Sequence, residues 1–178
     1  MTINVERYEH GSSIDDKIRT SLNRETIISL IIKYNPDICF IQEHYGKPLI
    51  IDGYNFYYEP TNCQYGLNNG ILVNKNSNVF ECNDINQTRI ELTKNKSIPN
   101  RVAIMIGIDI KESYKYLLGN KWYINCVHLM GGKEDDKQFY KYKFERKYQI
   151  KKIIQYINSD QKLSFIVGDF NANPMKLL

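Results

Sequence analysis

Four short β-prone segments constrain the fold of this chain more than any other feature. Each of them carries a polar side chain at or near its end. They span residues 2–5, 36–43, 122–129 and 163–167, and the last is an apolar run that stops at Gly168. Short apolar runs bounded by glycine or proline predict buried strands. The polar residues in or directly after these segments are, in chain order, Asn4, Glu43, His128, Asp169 and Asn171. Functional sites are commonly built on loops that a packed sheet holds in place, so these residues are the first candidates for a site.

Two amphipathic helices alternate with these strands. Residues 24–34 are predicted to form the first helix, which Asn23 caps and Pro36 ends. Its apolar face carries Ile27, Leu30, Ile31 and Tyr34, and the stripe of a second helix at 137–158 carries Ile150, Ile153, Ile154 and Ile157. Further strands are predicted at 69–74, 79–82 and 102–110. The order of strands and helices predicts an α/β fold, and without repeats or a low-complexity linker the chain 1–178 is expected to form one domain.

Composition and cysteine spacing limit the class of protein. The 178 residues contain 24 basic and 20 acidic side chains, a net charge of +4, which is well below that of a dedicated nucleic-acid-binding arm. Cys39, Cys63, Cys82 and Cys126 are widely spaced, so neither a zinc site nor a disulfide framework is indicated. No signal peptide and no apolar run long enough to span a membrane is present, which predicts an intracellular protein, cytoplasmic or nuclear, in a reducing compartment. Nothing in the sequence indicates the oligomeric state.

The polar residues and their neighbours resemble the endonuclease/exonuclease/phosphatase superfamily, which includes DNase I-like nucleases, tyrosyl-DNA phosphodiesterases, sphingomyelinases and inositol phosphatases. The matching pieces are Asn4-Val5, Pro36-Asp37 with Gln42-Glu43, His128-Leu129, Gly168-Asp169-Phe170-Asn171 and, more weakly, Arg146 with Gln149. The resemblance implies two packed β-sheets flanked by helices, the DNase I-like four-layer sandwich. Members of the family continue to an Asp-His pair, and this chain contains no Asp-His dipeptide. We therefore expect an N-terminal portion of the fold, incomplete at its C-terminus.

The resemblance also implies a role for each candidate residue. Glu43 and Asn4 would hold a Mg²⁺ ion, for which Mn²⁺ can substitute, because Mg²⁺ accepts few protein ligands and keeps several waters. Asp169 would orient and help deprotonate the attacking water, while Asn171 and His128 would hold the scissile phosphate. His128 has a second possible role as the proton donor to the leaving group. Structural alternatives remain for each: a surface carboxylate, an edge-strand asparagine, a core histidine and an ordinary Gly-Asp-x-Asn turn.

Several further residues leave a functional and a structural interpretation open. Arg101 is a candidate phosphate ligand or a solvated charge, and His10 and His44 are predicted to be structural or surface residues. Glycines in the loop 130–136 would let the backbone approach a substrate. The helix at 137–158 interleaves lysines with aromatic residues, a pattern that can bind nucleic acid. The same pattern also describes a solvated helix face with its aromatic side chains packed inward.

The function that the sequence predicts is a Mg²⁺-dependent phosphodiesterase that hydrolyses phosphate esters, as a nuclease or a DNA-end-processing enzyme. The small basic excess favours nucleic acid over another phosphodiester as the substrate. Two alternatives remain open. One is a phosphatase or phosphodiesterase that acts on phosphoinositides or sphingolipids, and the other is an inactive fragment or pseudoenzyme that binds a phosphorylated partner.

Overall fold

The computed structural model of the protein describes residues 1–5, 14–44, 48–59, 68–93, 101–129, 131, 139–158 and 164–171. Eight strands and three helices lie in these ranges. In chain order they are β1 (Thr2–Asn4), α1 (Ile14–Tyr34), β2 (Ile38–His44), β3 (Tyr54–Glu59), β4 (Asn68–Asn74), β5 (Phe80–Glu91), β6 (Val102–Ile110), α2 (Glu112–Leu118), β7 (Lys121–His128), α3 (Phe139–Asn158) and β8 (Ser164–Asp169). No helix in the described part of the chain is both long and apolar enough to cross a membrane.

The strands form two sheets of four strands each. The first sheet has the order β1-β2-β4-β3 and the second has the order β5-β6-β7-β8. Each sheet contains one parallel pair, β1 with β2 and β7 with β8, and its other neighbours are antiparallel. Two sheets flanked by helices confirm the predicted α/β fold class.

Alternation along the strands sorts the apolar side chains into two faces of each sheet. In β6, Ile104, Ile106 and Ile108 belong to the cluster between the sheets, while Ala103 and Met105 pack on the opposite face. The same period of two divides the other strands, because successive strand side chains point to opposite faces. The first sheet therefore has an outer face that buries α1, and the second has an outer face that buries α3.

The two helices cover these outer faces through a few isoleucines. Ile31 of α1 is fully buried against Cys39, Ile41 and Leu72 of the first sheet. Ile153 of α3 is fully buried against the second sheet. The order from one side to the other is α1, first sheet, second sheet and α3, which is the predicted four-layer arrangement.

The first helix differs from its predicted form. It begins at Ile14, ten residues before the predicted start, so Asn23 lies inside the helix and does not cap it. Residues 14–34 contain no glycine or proline, so nothing stops the helix within this range. Leu30 and Tyr34, predicted for the apolar face, are 37% and 62% exposed, and Ile28 packs on the first sheet instead.

The remaining differences concern elements whose sequence pattern is weak. β3 and α2 were not predicted, and the strand predicted at 79–82 is the start of the much longer β5. β8 was predicted to be buried, but it is an edge strand of the described sheet and its residues are half-buried, with Phe165 39% exposed. In α3, Ile154 is 38% exposed although the predicted stripe included it. Lys137 and Gln138, at the predicted start of this helix, lie outside the described residues.

Candidate active site

The parallel pairs of the two sheets end side by side and bring four of the predicted residues together. Asn4 lies opposite Gln42 in the first pair, and His128 lies opposite Asp169 in the second. The Nδ2 group of Asn4 donates to Oε1 of Glu43 at 3.2 Å and to Oδ2 of Asp169 at 3.1 Å. One asparagine therefore joins carboxylates that come from different sheets and lie 126 residues apart in the chain, at positions 43 and 169.

Glu43 reaches this position because β2 is irregular at its end. Ile41 pairs with Gly70 and His44 pairs with Asn68, so two residues of β2 lie opposite one residue of β4. This is a β-bulge, and Glu43 has a positive φ of 58° within it. Regular alternation would have placed Glu43 on the outer face with Ile41. The bulge turns its carboxylate toward the junction of the two sheets.

His44, which follows the bulge, was predicted to be a structural or a surface residue, and its burial excludes the surface interpretation. Its side chain is fully buried, and its ring lies 5.2 Å from that of Phe56 and 5.7 Å from that of Tyr58. The other histidine predicted to be structural or at the surface, His10, lies outside the described residues.

The position of Asp169 depends on a different feature of the backbone, the glycine that precedes it. The preceding Gly168 has a φ of 140°, and a Cβ atom built on it would lie 1.9 Å from the carbonyl oxygen of Val127. The backbones of β7 and β8 approach each other so closely here that only glycine fits. After the strand, the backbone N–H of Asn171 donates to Oδ1 of Asp169 at 2.8 Å. The turn interpretation of Gly-Asp-x-Asn therefore describes the local geometry, and that turn holds the Asp169 carboxylate in the cluster.

Glu43, His128 and Asp169 form a cluster that can hold a divalent cation. One ligand atom from each lies within 4.8 Å of the others, and Nε2 of His128 is 3.6 Å from Oε1 of Glu43 and 3.9 Å from Oδ2 of Asp169. The Glu43 and Asp169 side chains are 21% and 30% exposed, so bound waters can complete a coordination shell. Two carboxylates that remain accessible to water are oxygen ligands of the kind that hard divalent cations prefer.

His128 is buried and also contacts a cationic side chain on its other ring nitrogen. It is 3% exposed, and its Nδ1 lies 2.8 Å from Nη1 of Arg101. Arg101 is 7% exposed, so its interpretation as a solvated charge is wrong. Its guanidinium contacts Nδ1 of the ring, whereas the other ring nitrogen, Nε2, is the one that lies near the Glu43 and Asp169 carboxylates. The predicted phosphate contact of Arg101 stays a prediction.

Asn171 is half-buried beside the cluster. Its Nδ2 donates to the carbonyl oxygen of Leu129 at 2.9 Å, which occupies one of the two amide hydrogens. Its Oδ1 would lie 3.3 Å from a Cβ atom built on Gly131. The described glycine of the loop 130–136 thus lies against a predicted site residue, while the other residues of that loop are outside the described ranges.

Gln42 is a neighbour of the site whose position the sequence analysis did not use. It is 2% exposed, its Nε2 lies 3.6 Å from Sγ of Cys126, and its Oε1 accepts from Oγ1 of Thr2 at 3.2 Å. Burial raises the pKa of the Cys126 thiol to about 12, so this thiol is neutral at physiological pH. Alternation along β2 could have predicted this position. Gln42 is two residues after Phe40, so both side chains point to the same face of the sheet, which lies between the two sheets.

Comparison with known proteins shows which solved structures have a similar fold. No protein-family model and no curated protein matches the sequence. The structure is similar to an endonuclease/exonuclease/phosphatase family protein from Bacteroides thetaiotaomicron, with a TM-score of 0.69 and 15% identity over 98% of this chain and 63% of the other. It is also similar to a mannosyl-6-phosphatase from the same species (TM-score 0.67, 15% identity, 98% and 65% covered) and to a humanised D. rerio TDP2 (0.64, 19%, 99% and 67%).

These similarities confirm the resemblance predicted from the sequence at the level of the fold, which is that of the DNase I-like endonuclease/exonuclease/phosphatase superfamily. The neighbours include phosphatases and nucleases, so the fold is one that supports hydrolysis of phosphate esters. The chain spans about two thirds of the length of these three solved structures, 63% to 67%.

Proposed function

We propose that this chain is a divalent-metal-dependent phosphodiesterase. The observation that carries the proposal is the cluster of Glu43, His128 and Asp169, with ligand atoms within 4.8 Å of one another, at the junction of the two parallel strand pairs. Carboxylates and an imidazole assembled from separate sheets are costly to hold together unless a cation or a substrate compensates for them.

Glu43 is the principal metal ligand in this proposal, and Asn4 orients it. The oxygen donors of the site fit Mg²⁺, with Mn²⁺ as a substitute, while the His128 imidazole is left to the phosphate. When bound, the ion would stabilise the negative charge that develops on the phosphate during hydrolysis. Asn4 contributes by holding the Glu43 and Asp169 carboxylates with the same amide nitrogen.

Asp169 orients the attacking water and accepts its proton. Its Oδ1 is held by the backbone N–H of Asn171 and its Oδ2 by Asn4, so the carboxylate is fixed before substrate binds. Attack of the water oxygen on phosphorus forms one P–O bond as the ester P–O bond opposite it breaks, and the leaving oxygen takes a proton from solvent. Asn171 and His128 donate hydrogen bonds to the non-bridging oxygens, where negative charge accumulates.

Nucleic acid is the proposed substrate class, and the surface of α3 supports it. Tyr140 and Phe144 are each 73% exposed, so the interpretation of this helix as a face with inward-packed aromatic residues is wrong for these two. They lie four residues apart, on the same side of the helix. Lys141, Lys143 and Lys147 beside them are also exposed. Exposed rings flanked by lysines are a surface on which bases stack while the lysines neutralise phosphates.

The cysteines support the reducing compartment predicted from the sequence. Cys39, Cys82 and Cys126 are free thiols. Burial raises the pKa of Cys39 to about 11, as it does that of Cys126 to about 12. We propose that the protein functions inside the cell.

The test is hydrolysis by the 178-residue chain in the presence of Mg²⁺. The substrates are labelled single- and double-stranded DNA, RNA, an aryl phosphodiester and an aryl phosphomonoester. Chelation of the metal should stop the reaction, and Asp169→Asn should reduce the rate on every substrate by about 10²–10⁴-fold. Asp52→Asn is the matched control, because Asp52 is an exposed carboxylate in the turn before β3, at the opposite end of the first sheet.

Three outcomes would change the proposal. Near-normal rates for Asp169→Asn would exclude the catalytic role of that residue. Hydrolysis of the phosphomonoester alone would favour a phosphatase, the activity named for one of the structural neighbours. A folded chain that hydrolyses none of these substrates with Mg²⁺ or Mn²⁺ would favour a protein that only binds a phosphorylated partner.

A further inference from the structure

The contact between Arg101 and His128 determines how the histidine can act. Nη1 of Arg101 lies 2.8 Å from Nδ1 of His128, and both side chains are buried, at 7% and 3% exposed. A guanidinium group carries hydrogen-bond donors and no acceptor. The Nδ1 atom must therefore accept this hydrogen bond, and it cannot carry a hydrogen of its own.

An imidazole with a bare Nδ1 carries its hydrogen on Nε2. That atom faces the cluster, 3.6 Å from Oε1 of Glu43 and 3.9 Å from Oδ2 of Asp169. We propose that Arg101 is a positioning residue that fixes His128 in the Nε2–H tautomer, so that His128 donates a hydrogen bond to a substrate phosphate oxygen. This inference rests on the proposed function for the identity of the acceptor, but the tautomer itself is a property of the chain alone.

The backbone around Arg101 shows why its guanidinium can hold the ring. The backbone N–H of Arg101 donates to Oγ1 of Thr93 at 2.6 Å, and its carbonyl oxygen accepts from the N–H of Leu92 at 2.9 Å. The residue is thereby tied to the end of β5 just before β6 begins. A side chain anchored on a paired strand end is better suited to fix a neighbouring ring than one on an untethered loop.

The proposal reassigns Arg101 and chooses between the two roles left open for His128. Arg101 acts on the substrate through the histidine and does not clamp the phosphate. His128 acts as a hydrogen-bond donor and not as the proton donor to the leaving group, because that role needs a hydrogen on both ring nitrogens. A hydrogen on Nδ1 would point at a guanidinium that is itself a donor.

Nitrogen NMR of the 178-residue chain labelled with ¹⁵N-histidine tests the tautomer directly, with EDTA present to exclude metal. The chain contains three histidines, so spectra of His10→Asn and His128→Asn assign the signals. We expect an unprotonated shift for Nδ1 and a protonated shift for Nε2 of His128 at neutral pH. A protonated Nδ1 in the wild-type chain, alone or together with Nε2, overturns the proposal without any variant at Arg101.

Substitution of Arg101 separates positioning from a merely structural role. Arg101→Met should convert His128 into a mixture of tautomers, and Arg101→Lys, which keeps a donor, should restore the single Nε2–H form. Arg89→Met is the matched control, because Arg89 lies in β5 of the same sheet and pairs with Glu59 and Glu91. It should leave the His128 signals unchanged. A folded Arg101→Met chain with an unchanged tautomer overturns the proposal.

Hydrolysis measured on the same variants distinguishes this proposal from the proposed function. Loss of the His128 donor in His128→Ala should cost about 10²–10³-fold in rate, as removal of one preorganised donor does. Arg101→Met should cost less than this, and Arg101→Lys should recover most of the loss. The Nε2–H tautomer without any hydrolysis would contradict the proposed function alone. Hydrolysis by a chain whose His128 carries its hydrogen on Nδ1 would contradict the positioning role alone.

Discussion

The two sheets bring the Glu43 and Asp169 carboxylates together through different features of the backbone. In the first sheet, a bulge at the end of β2 turns Glu43 inward, and Glu43 itself has the positive φ of 58°. In the second sheet, the register of β7 with β8 is regular through Asp169, and Gly168 before it has the φ of 140°. Within the strands, the second sheet therefore places its unusual conformation on a residue without a side chain, whereas the first places it on the ligand. Asn171, which also has a positive φ of 48°, lies after the end of β8.

This difference indicates where each half of the site carries strain. A non-glycine residue in the left-handed region costs about 1–2 kcal/mol, and such residues persist where the surrounding structure holds them. The carboxylate of Glu43 is held by Asn4 and lies near His128, which are the contacts that the bulge makes possible. Gly168 contributes no side-chain contact, and it is required because the carbonyl of Val127 occupies the space of a Cβ atom.

Gly168→Ala is expected to have the largest effect of the changes that test this difference between the sheets. The added Cβ atom would meet the Val127 carbonyl oxygen at 1.9 Å, and backbone cannot move aside without separating β7 from β8. We expect the free energy of unfolding to fall by about 4 kcal/mol or more, measured by urea denaturation. Gly119→Ala is the matched control, since Gly119 also has a positive φ, of 79°, but no atom lies within 4 Å of its Cβ position. It should cost about 1–3 kcal/mol, because Gly119 combines this φ with a ψ of −175°, a conformation that residues with a side chain rarely adopt. Equal losses for the two variants would show that the close approach is unimportant.

The second effect concerns metal affinity. Glu43→Gln should weaken Mn²⁺ binding by at least the 10–100-fold that loss of an outer-shell partner costs, because it removes the anionic oxygen that the bulge places in the cluster. Asn4→Ala should have a smaller effect, since Asn4 orients both carboxylates without being charged. Titration followed by calorimetry or electron paramagnetic resonance measures the Mn²⁺ affinity of both variants. Glu81→Gln is the control, because Glu81 is an exposed carboxylate in β5, and this variant should bind Mn²⁺ as the wild type does. Unchanged affinity in Glu43→Gln would remove Glu43 from the metal site.

The third effect is a reversal in the stability order of two substitutions at Glu43. At an ordinary strand position glycine is less stable than alanine by roughly 0.5–1 kcal/mol. At Glu43 the positive φ favours glycine, so Glu43→Gly should be about 1 kcal/mol more stable than Glu43→Ala. Thr88 in β5 is a regular strand position at which the usual order should hold. Thermal or urea unfolding of the four variants measures the stability order at each position. If the alanine variant is more stable than the glycine variant at both positions, the backbone of Glu43 bears no strain.

The smallest effect tests whether the helix on the second sheet, and not the one on the first, meets the substrate. Replacement of Lys141, Lys143 and Lys147 by alanine should weaken nucleic-acid binding mainly at low salt. It should also reduce the slope of log affinity against log salt by up to about 0.7–0.9 for each lysine that contacts a phosphate. Replacement of Lys33, Lys75 and Lys115 changes the net charge equally, with Lys33 near the end of α1. Equal losses in both triple variants would mean that net charge and not the α3 surface determines binding.

Local patterns in the sequence predicted most of the strands, the fold class and the candidate site residues. Apolar runs at 102–110 and 69–74 coincide with β6 and nearly with β4, because a strand buried on both faces needs a continuous apolar sequence. Cys39 and Cys126 were predicted to be buried, and both are 0% exposed. The polar residues Asn4, Glu43, His128 and Asp169 stood out because they interrupt such runs at their ends.

How those residues meet follows from the tertiary structure and not from local patterns. The bulge that turns Glu43 inward is one residue in length and has no glycine to mark it, so alternation along β2 would have placed the carboxylate on the wrong face. The Arg101–His128 contact joins side chains 27 positions apart, and whether an arginine lies in solvent or behind a histidine depends on how two neighbouring strands begin and end. The exposure of Tyr140 and Phe144 likewise depends on how α3 packs on the second sheet. Sequence periodicity specifies which face of an element is apolar, but pairing register and the contacts between elements specify which polar atoms come within bonding distance.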